Sequence, residues 1–169
     1  MAHTVLVIGG ARSGKSGYAE DLAASHRGRR IYVATAEAGD EEMALRIEAH
    51  RARRGDDWTT FEEPLELISV LRSAASEDTF ILVDCLTLWL SNLMMARRDI
   101  GAEVADLCDV MKALPGRICL VSNEVGLGIV PDTPLGRCFR DEAGFANQML
   151  ARDADEVVFM VAGLPMRLK

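Results

Sequence analysis

The stretch VLVIGGARSGKS, residues 5–16, decides the fold of this chain. A short aliphatic run ends in glycines, and a helical pattern begins directly after them. Within it, Gly9, Gly14, Lys15 and Ser16 complete the phosphate-loop pattern G-x-x-x-x-G-K-[ST]. Such a loop wraps phosphates with backbone N–H groups, and the helix that follows adds a favourable dipole. The sequence therefore predicts a nucleotide-binding site here. The alternative is a glycine-rich connector that binds no ligand.

Side chains at this junction and at two later strand ends predict phosphate and metal chemistry. Lys15 can neutralise charge on β- and γ-phosphates, and the Ser16 hydroxyl can bind Mg²⁺. Asp84 ends the apolar run FILVD, which is typical of a carboxylate that binds the metal or its water. The alternative is that Asp84 caps the helix after it. Glu124 also follows a predicted strand, and it is either catalytic or holds the glycine-containing loop around it.

Strands and helices alternate along the chain. Five near-continuously apolar runs are predicted as strands: TVLVIG (4–9), RIYVAT (30–35), TFILVD (79–84), RICLVS (117–122) and EVVFMVAG (156–163). Helical patterns separate them, among them residues 40–54, 103–114 and 137–152. This alternation predicts an α/β fold with three layers and a mostly parallel sheet. In such folds ligands bind beyond the carboxyl ends of the strands. The length of 169 residues predicts one P-loop nucleotide-binding domain over residues 1–169.

Composition excludes several classes of partner. The net charge of -7 argues against broad binding to nucleic acid or to an anionic membrane, although a local basic cluster can still hold phosphate. No apolar run is long enough to span a bilayer, and no secretory signal is visible. The four cysteines lack zinc-ligand spacing, and three lie in apolar runs typical of buried side chains. We therefore expect a reduced, cytoplasmic protein.

The segment RIEAHRARRG, residues 46–55, places one histidine among four arginines. On a helix, His50 shares a face with Ile47, so it is either the polar end of a core-facing stripe or a reactive group. Arg46 and Arg54 lie four residues to either side, and their charge would lower the pKa of the imidazole. A neutral imidazole can act as a nucleophile, and arginines suit phosphate oxygens. The residues alone leave both interpretations open.

Five segments together resemble one known family: GGARSGKS, YVATAE, RIEAHRARRGDDWTTFEEP, NEVGLGIVP and FRDEAGFANQMLA. They are similar to adenosylcobinamide kinase/adenosylcobinamide-phosphate guanylyltransferase, a bifunctional enzyme family of cobalamin biosynthesis. The W-x-T-x-E arrangement, which ends at Glu62, is more specific than the phosphate loop. The resemblance implies a RecA-like P-loop NTPase fold and a homotrimer. The apolar helix LTLWLSNLMMA, residues 86–96, would then form the interface or pack in the core.

The resemblance also implies the site. The histidine that becomes guanylylated falls on His50, and Ala49 stands where many members carry a second histidine. Lys15 is the other implied catalytic residue, and Ser16 and Asp84 would hold Mg²⁺. The implied nucleotide contacts are Gly9, Gly10, Ala11, Arg12, Ser13, Gly14, Lys15, Ser16, Ala34, Thr35, Ala36, Arg51, Ala52, Arg53, Arg54, Glu62 and Asp84.

The expected substrates are adenosylcobinamide, adenosylcobinamide phosphate, ATP and GTP, with no nucleic-acid or membrane partner. The corrinoid contacts are expected in NEVGLGIVP or near residues 137–141. In the kinase step a hydroxyl would attack the γ-phosphate, whereas His50 would attack the α-phosphate of GTP in the second reaction. We therefore expect the His50 helix or the nucleotide to move between the two reactions.

The alternatives are a P-loop kinase for another small alcohol, with a structural His50, and a nucleotide-binding switch or assembly ATPase subunit.

Overall fold

In the computed structural model, which describes residues 2–36, 55 and 57–169, seven strands form one sheet in the order β3-β2-β4-β5-β1-β6-β7. The strands are β1 (His3–Gly9), β2 (Arg29–Ala34), β3 (Trp58–Glu62), β4 (Thr79–Asp84), β5 (Arg117–Asn123), β6 (Glu156–Val161) and β7 (Leu164–Arg167). The helices in these ranges are α1 (Lys15–Ala24), α2 (Leu67–Ala74), α3 (Leu86–Met95), α4 (Ile100–Ala113) and α5 (Pro134–Asp153). All neighbouring strands are parallel except β6 and β7, which are antiparallel.

Apolar side chains of the central strands pack on both faces of the sheet. In β1, Leu6 and Ile8 belong to one hydrophobic cluster, whereas Val5 and Val7 belong to a second cluster on the opposite face. Successive side chains of a strand point to opposite faces, so a strand covered on both sides must be apolar throughout. This confirms the predicted α/β fold with three layers and a mostly parallel sheet.

The five strands predicted from the sequence are all present, with ends that differ by two residues at most. The sequence prediction missed β3 and β7. Both lie at the edges of the sheet, and every residue of β7 and all but Trp58 of β3 are exposed, so burial does not impose a long aliphatic run on either strand. The last predicted strand was too long, because Ala162 and Gly163 adopt φ of 51° and 81° and turn the chain into β7.

Local hydrogen bonds set helix ends that the hydrophobic pattern misplaced. The pattern placed the start of α4 at residue 103, but the Asp99 side chain accepts from Ala102 N and starts the helix at Ile100. In the same way, Thr133 accepts from Gly136 N and α5 begins at Pro134. The helical pattern predicted for residues 40–54 lies outside the described residues.

The apolar helix α3 packs in the core. Trp89, Leu90 and Leu93 are at most 1% exposed, and the Trp89 indole N–H donates to Leu65 O at 2.9 Å. Core packing therefore accounts for these three side chains of the apolar run, whereas Met95 at its end is 73% exposed. Among the described residues, no helix combines the length and the apolarity that a membrane crossing requires.

Candidate nucleotide-binding site

The phosphate loop lies at the carboxyl end of β1, in the middle of the sheet. Gly9 pairs with Asn123 at the end of β5, and Glu124 N donates to Gly9 O at 2.9 Å. Arg12 and Gly14 adopt φ of 55° and 97°, so the loop curls through the left-handed region before α1 begins at Lys15. A glycine at position 14 adopts this conformation without strain. The motif therefore forms the strand–loop–helix junction that the sequence predicts.

The turn between β6 and β7 supports the loop from outside the motif. Gly163 N donates to Ser13 O at 3.0 Å, and a Cβ added to Gly14 would lie 3.2 Å from Gly163 Cα. A Cβ added to Gly9 would lie 2.7 Å from Met160 O. Packing therefore requires a glycine at position 9, whereas at position 14 the left-handed backbone and the close contact with Gly163 together favour one. The sequence did not predict that Met160 and Gly163 contact the phosphate loop. Their only sequence signal is that they lie near the end of a predicted strand.

Lys15 folds its side chain back onto the backbone of the phosphate loop. Its side chain is largely buried, with 7% of the residue exposed, and Nζ donates to Gly10 O at 2.5 Å. Burial lowers the pKa of the Lys15 ammonium group, and the charge of the Asp84 carboxylate partly opposes this shift. An incompletely compensated buried cation attracts an anion strongly, so this side chain suits binding to phosphate oxygens.

Ser16 and Asp84 meet although 68 residues separate them in the chain. Ser16 Oγ donates to Asp84 Oδ2 at 2.8 Å, and the Asp84 side chain makes no cap hydrogen bond to α3. The capping alternative is therefore wrong. A hydroxyl and a carboxylate oxygen side by side are the hard ligands that Mg²⁺ prefers, and the described residues hold no cluster of three or more His, Cys, Asp or Glu side chains. This donor set fits a Mg²⁺ ion that takes its other ligands from phosphates and water.

Thr35 faces inward rather than toward the phosphate loop. Its hydroxyl donates to Cys85 O at 2.6 Å and accepts from Cys85 N at 3.1 Å, while Asn92 Nδ2 donates to Thr35 O at 2.8 Å. These bonds fasten the end of β2 to the end of β4, so the Thr35 side chain positions the segment Ala34–Ala36. Burial raises the pKa of the Cys85 thiol to about 11, so this thiol stays protonated at neutral pH.

Glu62 lies at the same edge of the sheet as Asp84. Ala34 pairs with Glu62 on one side and with Asp84 on the other, and Glu63 N donates to Ala34 O at 2.9 Å. Glu62 itself is exposed. The register therefore brings three of the predicted nucleotide contacts to neighbouring strand ends. Ala11 and Arg12, in the phosphate loop after β1, are exposed.

The predictions for His50, Arg51, Ala52, Arg53 and Arg54 lie outside the described residues. The chain has two other histidines, and both lie at the amino edge of the sheet. His3 begins β1 and contacts Glu156 at 2.8 Å. His26 precedes β2, and its ring contacts Asp78 O at 2.9 Å, just before β4 begins. Neither histidine is near the phosphate loop, which lies at the opposite edge.

The Glu124 carboxylate holds the loop after β5. Its Oε1 accepts from Gly126 N at 2.5 Å, and a Cβ on Gly126 would lie 2.8 Å from that oxygen. Of the two roles predicted for Glu124, this contact favours holding the loop. A side chain at position 126 would displace this carboxylate, which is the end of a flexible side chain, rather than the backbone.

Solved structures share this fold at low sequence identity. The flagellar accessory protein FlaH of Methanocaldococcus jannaschii aligns over 99% of this chain and 78% of its own, with a TM-score of 0.56 and 14% identity. The RadB recombinase aligns over 93% of this chain and 73% of its own, with a TM-score of 0.52 and 13% identity. Together with the sheet order, these similarities confirm the RecA-like P-loop fold.

Curated relatives match over nearly their whole length. The bifunctional adenosylcobalamin biosynthesis protein CobP of Pseudomonas aeruginosa is 52% identical over 166 residues, which cover 97% of this chain and 96% of that protein. CobU of Escherichia coli, a protein of the same description, is 37% identical over 180 aligned positions. The alignment covers 98% of this chain and 99% of that protein. The sequence profile described as cobinamide kinase / cobinamide phosphate guanyltransferase matches residues 5–168. The chain therefore belongs to this family, which confirms the predicted pairing of a kinase with a guanylyltransferase.

Proposed function

We propose that this protein phosphorylates adenosylcobinamide and then transfers GMP from GTP to adenosylcobinamide phosphate, in cobalamin biosynthesis. The observation that carries the proposal is the contact of Ser16 with Asp84 beside the buried Lys15, in a chain that matches the family over residues 5–168. Two relatives that cover nearly the whole chain are both described as bifunctional adenosylcobalamin biosynthesis proteins. The site and the family thus support the same pair of reactions.

The kinase reaction uses the phosphate loop. The loop backbone and Lys15 hold the β- and γ-phosphates of ATP or GTP, so that the γ-phosphorus is open to attack in line. The hydroxyl of the aminopropanol arm forms the new P–O bond, loses its proton, and the bond from the γ-phosphorus to the bridging oxygen breaks. Ser16 and Asp84 would hold Mg²⁺, which supplies positive charge against the phosphates.

The guanylyl transfer uses His50 as a covalent carrier. A neutral imidazole nitrogen forms a bond to the α-phosphorus of GTP, and pyrophosphate leaves. A phosphate oxygen of adenosylcobinamide phosphate then forms the P–O bond that replaces the P–N bond, so the imidazole is released and adenosylcobinamide-GDP is formed. The positions of the other two histidines support this choice, because His3 and His26 lie at the edge opposite the phosphate loop.

The test is parallel incubation with GTP labelled at the α- or the γ-phosphate. Wild-type protein is expected to acquire α-label alone, in a linkage that is labile to acid and stable to alkali. His50→Ala is expected to lose that label, whereas the matched variants His3→Ala and His26→Ala retain it. Label that persists in His50→Ala would show that another residue carries the nucleotide.

The same incubation tests the kinase reaction. With adenosylcobinamide present, γ-label should move to the corrinoid in wild-type protein and in His50→Ala alike, because His50 takes no part in that step. A kinase for another small alcohol would phosphorylate no corrinoid and acquire no α-label. A nucleotide-binding switch would transfer neither label.

A further inference from the structure

The loop after β5 presents aliphatic side chains to solvent. We call residues 125–130 the apolar loop. It carries four aliphatic side chains. Leu127 and Ile129 are the most exposed large apolar residues of the described chain, at 81% and 96%. Val125 and Val130 are 37% and 57% exposed. Contiguous apolar surface of this kind marks a binding site more often than isolated exposed residues do.

Hydrogen bonds at both ends hold the apolar loop in place. At its start, the Glu124 carboxylate accepts from Gly126 N. At its end, the Arg137 guanidinium donates to Pro131 O at 2.9 Å and to Asp132 O at 2.8 Å. The loop is therefore fastened at its base, while Leu127 and Ile129 remain largely exposed to solvent. Fixed display of apolar side chains lowers the entropy lost when a ligand binds.

The apolar loop begins beside the phosphate loop. Glu124 N donates to Gly9 O at 2.9 Å, and β5 lies between β1, which leads into the phosphate loop, and β4, which ends at Asp84. An acceptor hydroxyl must approach the γ-phosphate closely for in-line transfer. A molecule bound on the apolar loop is thus a neighbour of the transferred phosphate. This continuity with the phosphate site favours the acceptor as the occupant over an unrelated ligand.

Gly128 adds an independent observation. A Cβ built on it would meet no atom of the described protein within 4 Å, and its φ lies outside the left-handed region. Neither packing nor backbone conformation within the chain requires a glycine here. A glycine between two exposed aliphatic residues leaves room for a ligand to approach the backbone, whose N–H and C=O groups can then bind amide groups.

We propose that the apolar loop binds the corrinoid acceptor, with Leu127 and Ile129 in contact with the apolar rim of the macrocycle. The inference rests on the proposed function and names the surface that positions its acceptor. A corrinoid carries ring methyl groups and amide side chains, so aliphatic side chains that alternate with open backbone match both parts. Leu127 and Ile129 are specificity-determining residues, because they contact a part of the acceptor remote from the reacting hydroxyl.

The test compares two exposed leucines. We compare Leu127→Ser and the double variant Leu127→Ser/Ile129→Ser with the control Leu168→Ser. Leu168 is also exposed, at 60%. It lies away from the apolar loop, because its backbone N donates to Val157 O on β6, two strands from β5. We expect the double variant to raise the KM for adenosylcobinamide about tenfold or more, since an aliphatic side chain contributes roughly that factor on burial. The control should leave this KM unchanged. The Kd for GTP and the α-label acquired without acceptor should be unchanged in every variant.

Each outcome decides between named alternatives. If wild-type protein phosphorylates adenosylcobinamide but the double variant keeps its KM, the inference is wrong and the proposed function stands. If the double variant instead changes the sedimentation coefficient without changing that KM, the apolar loop is an interface between copies of the chain. If wild-type protein phosphorylates no corrinoid, the proposed function fails and the inference fails with it. A loss of GTP binding in the double variant would place the loop in the nucleotide site instead.

Discussion

Alanine at Gly9, compared with alanine at Gly10, tests the account of the phosphate loop. A Cβ on Gly9 would lie 2.6 Å from Ser13 Oγ, 2.7 Å from Met160 O and 3.1 Å from Met160 Cβ. Met160 belongs to β6, which pairs with β1 at this position, so its carbonyl cannot move without disturbing the sheet. A Cβ on Gly10 would meet no atom of the described protein within 4 Å. Alanine should therefore destabilise the protein at position 9 and leave its stability nearly unchanged at position 10.

The expected cost follows from these contacts. Forcing an extra methyl group into a packed site typically lowers the free energy of unfolding by about 1–3 kcal/mol. For a chain of this size, each kcal/mol lowers Tm by about 2–4 °C, so Gly9→Ala should lower Tm by about 2–12 °C. Gly10→Ala should change the free energy of unfolding by less than about 0.5 kcal/mol, because the added methyl group meets no atom of the described protein.

The assay is thermal and urea unfolding of the two variants and the wild type without nucleotide. The Kd for GTP, measured separately, should rise for Gly9→Ala because the displaced loop no longer presents its N–H groups correctly. Equal stability of Gly9→Ala and wild type would refute the argument that packing against β6 requires this glycine. So would a loss of stability in Gly10→Ala as large as that in Gly9→Ala.

Three further predictions concern groups around the site. Burial lowers the pKa of Lys15, and bound phosphates favour its charged form. The affinity for GTP should therefore hold at neutral pH and fall as the pH rises toward 10.5. Calorimetric titrations should show this pH dependence in the wild type and not in Lys15→Met. Asn92→Ala leaves Thr35 O without its donor, so urea unfolding should show a loss of about 1–3 kcal/mol, whereas the exposed Gln148→Ala should show under about 0.5 kcal/mol. Cys138 is the one exposed cysteine of the four, so a disulfide reagent at pH 8 should titrate one thiol in the native protein and four after unfolding.

Much of the fold was predictable because its signals are local. The central strands are covered on both faces, so each is an uninterrupted apolar run, and the phosphate-loop motif needs only eight consecutive residues. The edge strands β3 and β7 escaped prediction because an exposed strand is identified by its pairing partner rather than by its own composition. Helix starts were misplaced where a single cap hydrogen bond, as at Asp99, outweighs the hydrophobic pattern.

The candidate site divides in the same way. The sequence by itself determined the residue types and the strand ends that carry them: Lys15 and Ser16 after β1, Asp84 after β4 and Glu124 after β5. Only the tertiary structure decided which of them meet. Parallel pairing brings Asp84 to Ser16, turns the Thr35 hydroxyl toward Cys85, and places the β6–β7 turn against the phosphate loop. These contacts join residues that are 50 or more positions apart in the chain. Periodicity and motifs report only local order, whereas such contacts depend on how the sheet assembles around its two apolar clusters.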